Sequence, residues 1–274
     1  MLSVNTNLGA MAALQFLNQT QMELQTTQSH INSGLKVANA KDNGAVYAIA
    51  QNMRGNVAGY QAVSDSLNRG VSTVDVAISA GQSISDLLNE LKGKALAAAD
   101  ASLDTASRNA LNADFTALRD QISTIVQNAS FNGVNLVDGS TANYQALASS
   151  DGTKKITASG QTLALSGTIV TINSTSTIST QSKASTMVAT INSSIQNVNA
   201  ALAKLASGVK KFQIQGDFVN KLVDTLNAGI GNLVDADMAV ESAKLQSLQV
   251  KQQLGVQALA IANSAPSITL SLFR

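Results

Sequence analysis

The sequence contains no cysteine, no tryptophan, one proline and one histidine. Without cysteine, disulfides, zinc–thiolate sites and thiol nucleophiles are excluded. With His30 as the single histidine, a histidine-based metal site or a Ser-His triad within one chain is not expected, and we assign His30 a solvated or packing role. The GxxxxGK and HExxH signatures of nucleotide-binding proteins and metalloproteases are absent as well. We therefore expect no enzyme, no cofactor and no metal site.

Charged residues are few, 13% of the chain, and nearly balanced, with 18 Lys and Arg against 17 Asp and Glu. A net charge close to zero argues against nucleic-acid binding. No stretch approaches the roughly 18 apolar residues that a membrane helix needs, and the first residues lack the basic start and apolar run of a secretory signal. We expect no nucleic-acid partner, no membrane insertion and, for work outside the cell, export by a route without such a signal.

Aromatic residues make up only 3% of the chain, although 45% is apolar and alanine is abundant. A core built from small aliphatic contacts favours long helix bundles over a thick globule. Apolar residues recur at alternating steps of four and three, the heptad rhythm of helices packed lengthwise, along three segments. The first, over about 44–99, would be on the order of 80 Å long. The predicted bundle-seam residues are Val57, Leu67, Val74, Leu118, Ile122, Leu202, Val209 and Leu226.

Between the second and third helical segments, residues 131–180 are rich in Thr, Ser, Gly and Ile and show little helical period. Asn132-Gly133 and Asp138-Gly139 are hairpin-type turn dipeptides. Residues 155–158 and 168–172 are typical of short strands. We predict a small β excursion or exposed insertion here, and a disordered Ser/Thr tract is the alternative.

The two ends of the chain carry little charge. Residues 1–34 contain one acid, Glu23, and no Lys or Arg, while Leu17, Leu24 and Ile31 recur every seven positions. Towards the other end Met238, Leu245, Gln252 and Leu259 show the same seven-residue spacing. Neither helix can bury its seam alone, so we predict that the two pair with each other and with further copies. Contacts that do not close into a ring generate a helical filament. The predicted filament-core residues are Leu8, Leu17, Leu24, Ile31, Met238, Leu245 and Leu259.

These patterns predict a mainly α fold: a long antiparallel, coiled-coil-like helical bundle with a small β-hairpin region, in which the N- and C-terminal helices pair. Residues 1–42 and 235–274 would form a terminal-helix domain. Residues 43–234 would form a bundle domain that carries the insertion at about 131–180. We expect Asp104 to cap the second bundle helix, and Asp235 and Asp237 to cap the last helix rather than act as an acid–base pair.

Four motifs resemble those of the bacterial flagellins, in order and at the right ends of the chain. They are the opening Asn5-Thr6-Asn7, the linker over residues 32–43, the turn Phe131-Asn132-Gly133-Val134, and the closing run over residues 252–274. The match covers about the first 140 and the last 90 residues. The segment between them has no room for the large outer domains of longer flagellins.

The resemblance implies a structural subunit that polymerises into the flagellar filament used for swimming, secreted to the cell exterior. It implies that the partners are other copies of the chain, with or without other flagellins, and the flagellar export apparatus, an export chaperone, the cap and the hook-junction proteins. A hook–filament junction protein of the same superfamily is the nearest alternative. A membrane-active helical toxin is a more distant one, because it would need an apolar segment that this chain lacks.

Overall fold

The computed structural model describes residues 6–271; residues 1–5 and 272–274, which carry parts of the terminal motifs, lie outside the described residues. Most of the described chain is helical, as predicted. The helices are α1 (Leu8–Ser33), α2 (Gly44–Ala98), α3 (Thr105–Asn128), α4 (Gln181–Val234) and α5 (Met238–Ser271). Within residues 6–271, none of these helices is both long enough and apolar enough to cross a membrane.

Four short strands form two hairpins between α3 and α4. β1 (Ser130–Phe131) pairs antiparallel with β2 (Val134–Asn135), and β3 (Asn143–Leu147) pairs antiparallel with β4 (Lys155–Ser159). The predicted Asn132-Gly133 turn joins the first pair. Both of its residues have positive φ, 49° and 78°, as a type I′ turn requires.

The strand predicted at residues 168–172 is wrong. Val170 and Ile172 are buried, but side chains of α4 take the place of a neighbouring strand. The Thr171 N–H donates to Ser194 Oγ at 3.1 Å, and the Ile169 carbonyl accepts from the Asn197 side chain at 3.3 Å. Because helix side chains bond to this backbone, an alternating pattern that is typical of a strand folds here as an irregular segment.

The chain divides into two compact units. The terminal unit comprises Met1–Gly55 and Thr225–Arg274, and the bundle unit comprises Asn56–Asp224. The terminal unit contains α1, α5 and the adjoining ends of α2 and α4. The bundle unit contains α3, both hairpins and the rest of α2 and α4.

One continuous apolar core runs through the bundle unit along α2, α3 and α4. Of the predicted bundle-seam residues, Leu67, Val74 and Ile122 are fully buried in it. The half-buried ones in this unit are Val57, Leu118, Leu202 and Val209, and Leu226 is half-buried in the terminal unit.

Small residues occupy many of the most deeply buried helix positions. On α2 and α4 they alternate with larger ones along the buried face; they are Gly70, Ala77, Gly81, Ser194, Ala201 and Gly208. A Cβ added at Gly81 would lie 2.7 Å from Leu202 Cδ2, so the helices can approach this closely only where a side chain is missing. At alternate positions the predicted seam lies one residue to the side, because it follows large apolar residues such as Leu202 and Val209 in place of the buried Ala201 and Gly208.

The second hairpin belongs to this core and is not an exposed insertion. The ring of Phe212 is fully buried and meets Tyr144 of β3 edge to face, with a centroid distance of 6.1 Å. A Cβ at Gly70 would lie 3.0 Å from Tyr144 Cε1 and 3.1 Å from Phe212 Cε2. The Leu147 N–H donates to Ser66 Oγ at 3.1 Å. The hairpin therefore packs between α2 and α4 and fills space that their small residues leave.

Asp104 caps α3, as predicted. Its Oδ1 accepts from the Ser107 N–H at 2.7 Å, and its Oδ2 accepts from the Ser107 hydroxyl at 3.1 Å. Both hydrogen bonds lower the pKa of Asp104 below its usual value, and the one from the Ser107 amide has the larger effect. Since the pKa is lower in the folded state, the carboxylate stabilises α3 fully above its unfolded-state pKa, and this contribution is lost as the pH falls through the folded-state value.

We expect Asp104→Ala to lower the melting temperature slightly at pH 7, because alanine cannot accept the Ser107 bonds. Asp104→Asn is the matched control, since asparagine caps helices well but does not titrate. The Asn variant should melt close to the parent at pH 7 and lose less stability than the parent at about pH 3. Thermal melts followed by circular dichroism at the two pH values check this. Equal acid sensitivity of the parent and the Asn variant would contradict the assignment.

Candidate assembly surface

Two short linkers bring the ends of α1 and α5 together. Gly34 ends α1 in the left-handed conformation, with φ of 72°. The Lys36 N–H donates to the Val234 carbonyl at 2.7 Å, and the Ala236 N–H donates to the Gly34 carbonyl at 2.9 Å. The end of α1 and the start of α5 both lie next to these hydrogen bonds, and the two helices pack against each other. They therefore lie side by side and antiparallel.

The far end of the pair is held by Asn7. Its Oδ1 caps α1 by accepting from the Ala10 N–H at 3.0 Å, and its Nδ2 donates across to the Ala262 carbonyl of α5 at 2.7 Å. Midway along, a Cβ added at Gly255 would lie 3.3 Å from Leu17 Cδ1. The helices are thus in close contact at Leu17, one of the predicted filament-core residues.

His30 and Glu241 join the helices near the linkers. Nδ1 of His30 lies 3.0 Å from Oε1 of Glu241, and both side chains are largely buried. Sequence reasoning missed this pair because the two residues lie on different helices that only the fold brings together. Among the described side chains, Thr27 Oγ1 and Glu241 Oε2 are buried without a hydrogen-bond partner. Of the two expected roles for His30, solvated or packing, the structure therefore shows the packing one, with the side chain paired across the interface between α1 and α5.

Asp237 caps α5, as predicted. Its Oδ1 accepts from the Ala239 N–H at 2.9 Å and from the Val240 N–H at 3.2 Å. Asp235 instead forms a β-bridge with Leu35 in the linker. Of the two predicted caps, only Asp237 occupies the position before the helix.

The seam between α1 and α5 contains five of the predicted filament-core residues. All five are half-buried; they are Leu17, Leu24, Ile31, Leu245 and Leu259. The structure adds Thr27 and Leu248, which are buried to 0% and 2% exposure. Leu8 and Met238, by contrast, are exposed in the subunit. Thr27 was not predicted because a threonine in a polar sequence gives no apolar signal. Leu248 was not predicted because the expected seam used only the seven-residue series that contains Leu245.

Each terminal helix has a second apolar stripe on the side away from this seam. On α1 it consists of Leu8, Met11 and Met22, and on α5 it consists of Val250, Leu254 and Ile261. Spacings of three, four, seven and eleven residues place each set on one face of its helix. All six side chains are more than half exposed. We call these residues the outer stripes.

Comparison with known proteins identifies the family of this chain. The bacterial flagellin N-terminal helical region matches residues 4–142, and the bacterial flagellin C-terminal helical region matches residues 188–273. The chain is 54% identical to flagellin FljK of Caulobacter vibrioides over 272 residues, covering 99% of this chain and 98% of that protein. It is 43% identical to flagellin FljJ of the same organism, covering 100% of this chain and 99% of that one. A flagellin of Brucella melitensis is 35% identical over the full length of both chains.

Paired terminal helices with a second exposed apolar stripe are typical of a structural protein that assembles through its helices. The two matched regions and the full-length relatives go further: this chain belongs to the bacterial flagellin family. It is a structural subunit of the flagellar filament used for swimming, and it is not an enzyme. None of the three relatives described above is named as a hook–filament junction protein.

Proposed function

We propose that the terminal helix pair forms the inner tube of the filament and that the bundle helices surround it. This assigns residues 1–42 and 235–274 to the filament core, and residues 43–234 to the outer bundle. The observation that carries the proposal is the pair of outer stripes, which a single subunit leaves in water. Exposed apolar surface of this kind marks protein interaction sites.

Burial of the outer stripes supplies the driving force. Burying a large aliphatic side chain contributes about 1.5–3 kcal/mol, and every subunit in a polymer gains this at several side chains. Few charges oppose it: within α1 the only acid is Glu23, with no Lys or Arg. Since desolvating an unpaired charge is costly, a neutral Gln, Ser and Asn surface suits the packed centre of a filament.

The two stripes also fit an assembly that grows without closing. The outer stripe of α1 and that of α5 differ in sequence, so each copy presents different surfaces to its neighbours on different sides. Contacts between unlike surfaces that do not close into a ring produce an open helical polymer. Other flagellins with the same terminal helices could enter the same filament.

Family membership supports a route for the subunit. In this proposal the chain is secreted through the flagellar export apparatus with the help of an export chaperone. It then adds to the growing extracellular filament beneath the cap, and the first copies join the hook-junction proteins.

The test is polymerisation of the purified full chain, seeded with short filament fragments and viewed by negative-stain electron microscopy. The parent should form long filaments. Met22→Glu combined with Leu254→Glu should form none, because both charges fall on the outer stripes. Gln21→Glu with Gln253→Glu is the matched control: it adds the same charge at neighbouring exposed positions and should still polymerise.

A chain lacking residues 1–34 and 235–274 should also form no filaments. Absence of filaments from the parent, or normal filaments from the truncated chain, would refute assembly through the terminal helices. Equal loss in the glutamate variant and its matched control would show that charge alone, and not the outer stripes, accounts for the effect.

A further inference from the structure

A second exposed apolar site lies in the bundle unit, on α4. Ile214 and Phe218 are one helical turn apart and are 58% and 56% exposed, although the same helix buries Phe212 completely. Lysines stand at both ends of this pair, Lys210 before it and Lys221 after it. We call Ile214 and Phe218 the α4 knob.

The bundle unit has a shallow groove of about 330 Å³ between α2 and α3. Its lining is mainly aliphatic or small; the residues are Val76, Ser79, Ala80, Ser83, Gln121, Thr124, Ile125, Asn128 and Ala129. We call it the α2–α3 groove.

The two serines in this groove do not present free hydroxyl donors. Ser79 Oγ donates to the Asp75 carbonyl at 2.9 Å, and Ser83 Oγ donates to the Ser79 carbonyl at 3.1 Å. Because these donors are satisfied within α2, an apolar side chain can cover the groove without leaving them unpaired.

Charges at the rim of the groove complement those beside the knob. Asp75 and Asp86 are exposed on α2 at the two ends of the groove segment. On α4, Lys210, Lys211 and Lys221 outnumber the single Asp217 that lies among them. Opposite charge at both ends would steer the two surfaces together and set their register.

The spacing of the two surfaces also matches. Lys210 and Lys221 are eleven residues apart, as are Asp75 and Asp86, which is three helical turns or about 16 Å. The knob residues stand four and eight positions after Lys210, and the groove serines stand four and eight positions after Asp75. All eight side chains are exposed. Since each pattern has the same charge at both ends, the charges pair in either relative direction of the helices.

We propose that the α4 knob of one subunit packs into the α2–α3 groove of a neighbouring copy of the same chain, with Lys210 and Lys221 opposite the Asp75 and Asp86 carboxylates. This rests on the proposed filament function and names a contact between the bundle units. When the knob and the groove of one subunit engage two different neighbours, the contact is heterologous and extends an open polymer.

Charge reversal tests the contact. Lys210→Glu with Lys221→Glu, and separately Asp75→Lys with Asp86→Lys, should each raise the critical concentration for polymerisation by about tenfold or more, because like charges then face each other. Combining all four changes in one chain should restore it to within about threefold of the parent. Lys183→Glu with Lys204→Glu is the control, since it makes the same change in net charge on α4 away from the knob, and it should polymerise like the parent.

Disulfide trapping gives an independent test, and the chain contains no cysteine of its own. Copies with Phe218→Cys, mixed with copies carrying Ser79→Cys or Ser83→Cys and polymerised, should give oxidised dimers in the filament. Asn220→Cys, exposed on another side of α4, should not. Two results would overturn this contact: filaments of normal length without the cross-link, or no rescue by the fourfold variant. If the parent still polymerises, the proposed function stands in either case. A parent that fails to polymerise would overturn both.

Discussion

Leu17→Asp is expected to abolish polymerisation while the bundle unit stays folded, and Leu259→Asp should do the same. Both leucines lie in the seam between α1 and α5, and Leu17 is in close contact with α5 at Gly255. A carboxylate there would lose part of its hydration in the subunit and the rest in the proposed filament core without gaining a cation, which costs several kcal/mol. With 1.4 kcal/mol for each factor of ten, the critical concentration should rise by about a hundredfold or more. Light scattering with seeds measures it.

Leu17→Met and Leu259→Met are the matched controls, because methionine keeps the volume and apolar character of leucine. They should polymerise within about threefold of the parent. Circular dichroism should show that the aspartate variants keep the helices of the bundle unit. Normal filaments from either aspartate variant would contradict the assignment of these leucines to the filament core.

Phe212→Ala is expected to destabilise the bundle unit by about 3–5 kcal/mol, because it removes a fully buried ring and leaves a cavity. The ring contacts Tyr144 and lies against Gly70, which has no side chain to fill the space. Denaturant unfolding of the monomeric chain, below the concentration at which it polymerises, measures the loss.

Phe218→Ala is the control on the same helix. Its ring is 56% exposed, so its removal should cost less than about 1 kcal/mol in the monomer. Similar losses for both variants would mean that the two phenylalanines do not differ in burial in solution. The two changes also separate stability from assembly, because Phe218→Ala should act on filaments and Phe212→Ala on folding.

Much of the helical structure could be predicted because its signals are local. Alternating steps of four and three mark an extended apolar face whatever lies opposite it. Asp104 and Asp237 sit before helices where their oxygens can accept from exposed amides. Asn132-Gly133 forms its turn because both residues adopt positive φ readily.

The central line of each seam was harder to predict. At Gly70 and Gly208 the buried partner is a side chain from another element. A glycine contributes nothing to an apolar pattern, although its missing side chain is what admits the neighbour. The seam therefore follows from pairwise fit between elements and not from the hydrophobicity of one of them.

The β region also shows that a local sequence pattern does not by itself decide the structure. Residues 155–158 and 168–172 have similar strand-like patterns, but only the first forms a strand. Tyr144 and its neighbours on β3 pair with β4, whereas residues 168–172 lie where Ser194 and Asn197 of α4 bond to their backbone. The partner that is nearest in the fold, not the sequence pattern, selects the structure.

By itself, the sequence determined the helical class and the first turn, because each depends on composition or on neighbours within a few residues. It also indicated the pairing of the two ends, because each end carries an apolar seam that one helix cannot bury alone. The tertiary structure alone decided the His30–Glu241 pair, the burial of Thr27 and Leu248, and the exposure of the outer stripes and the α4 knob. These depend on which surfaces the fold covers. The sequence alone does not distinguish an apolar residue that is buried within the subunit from one that is exposed on its surface.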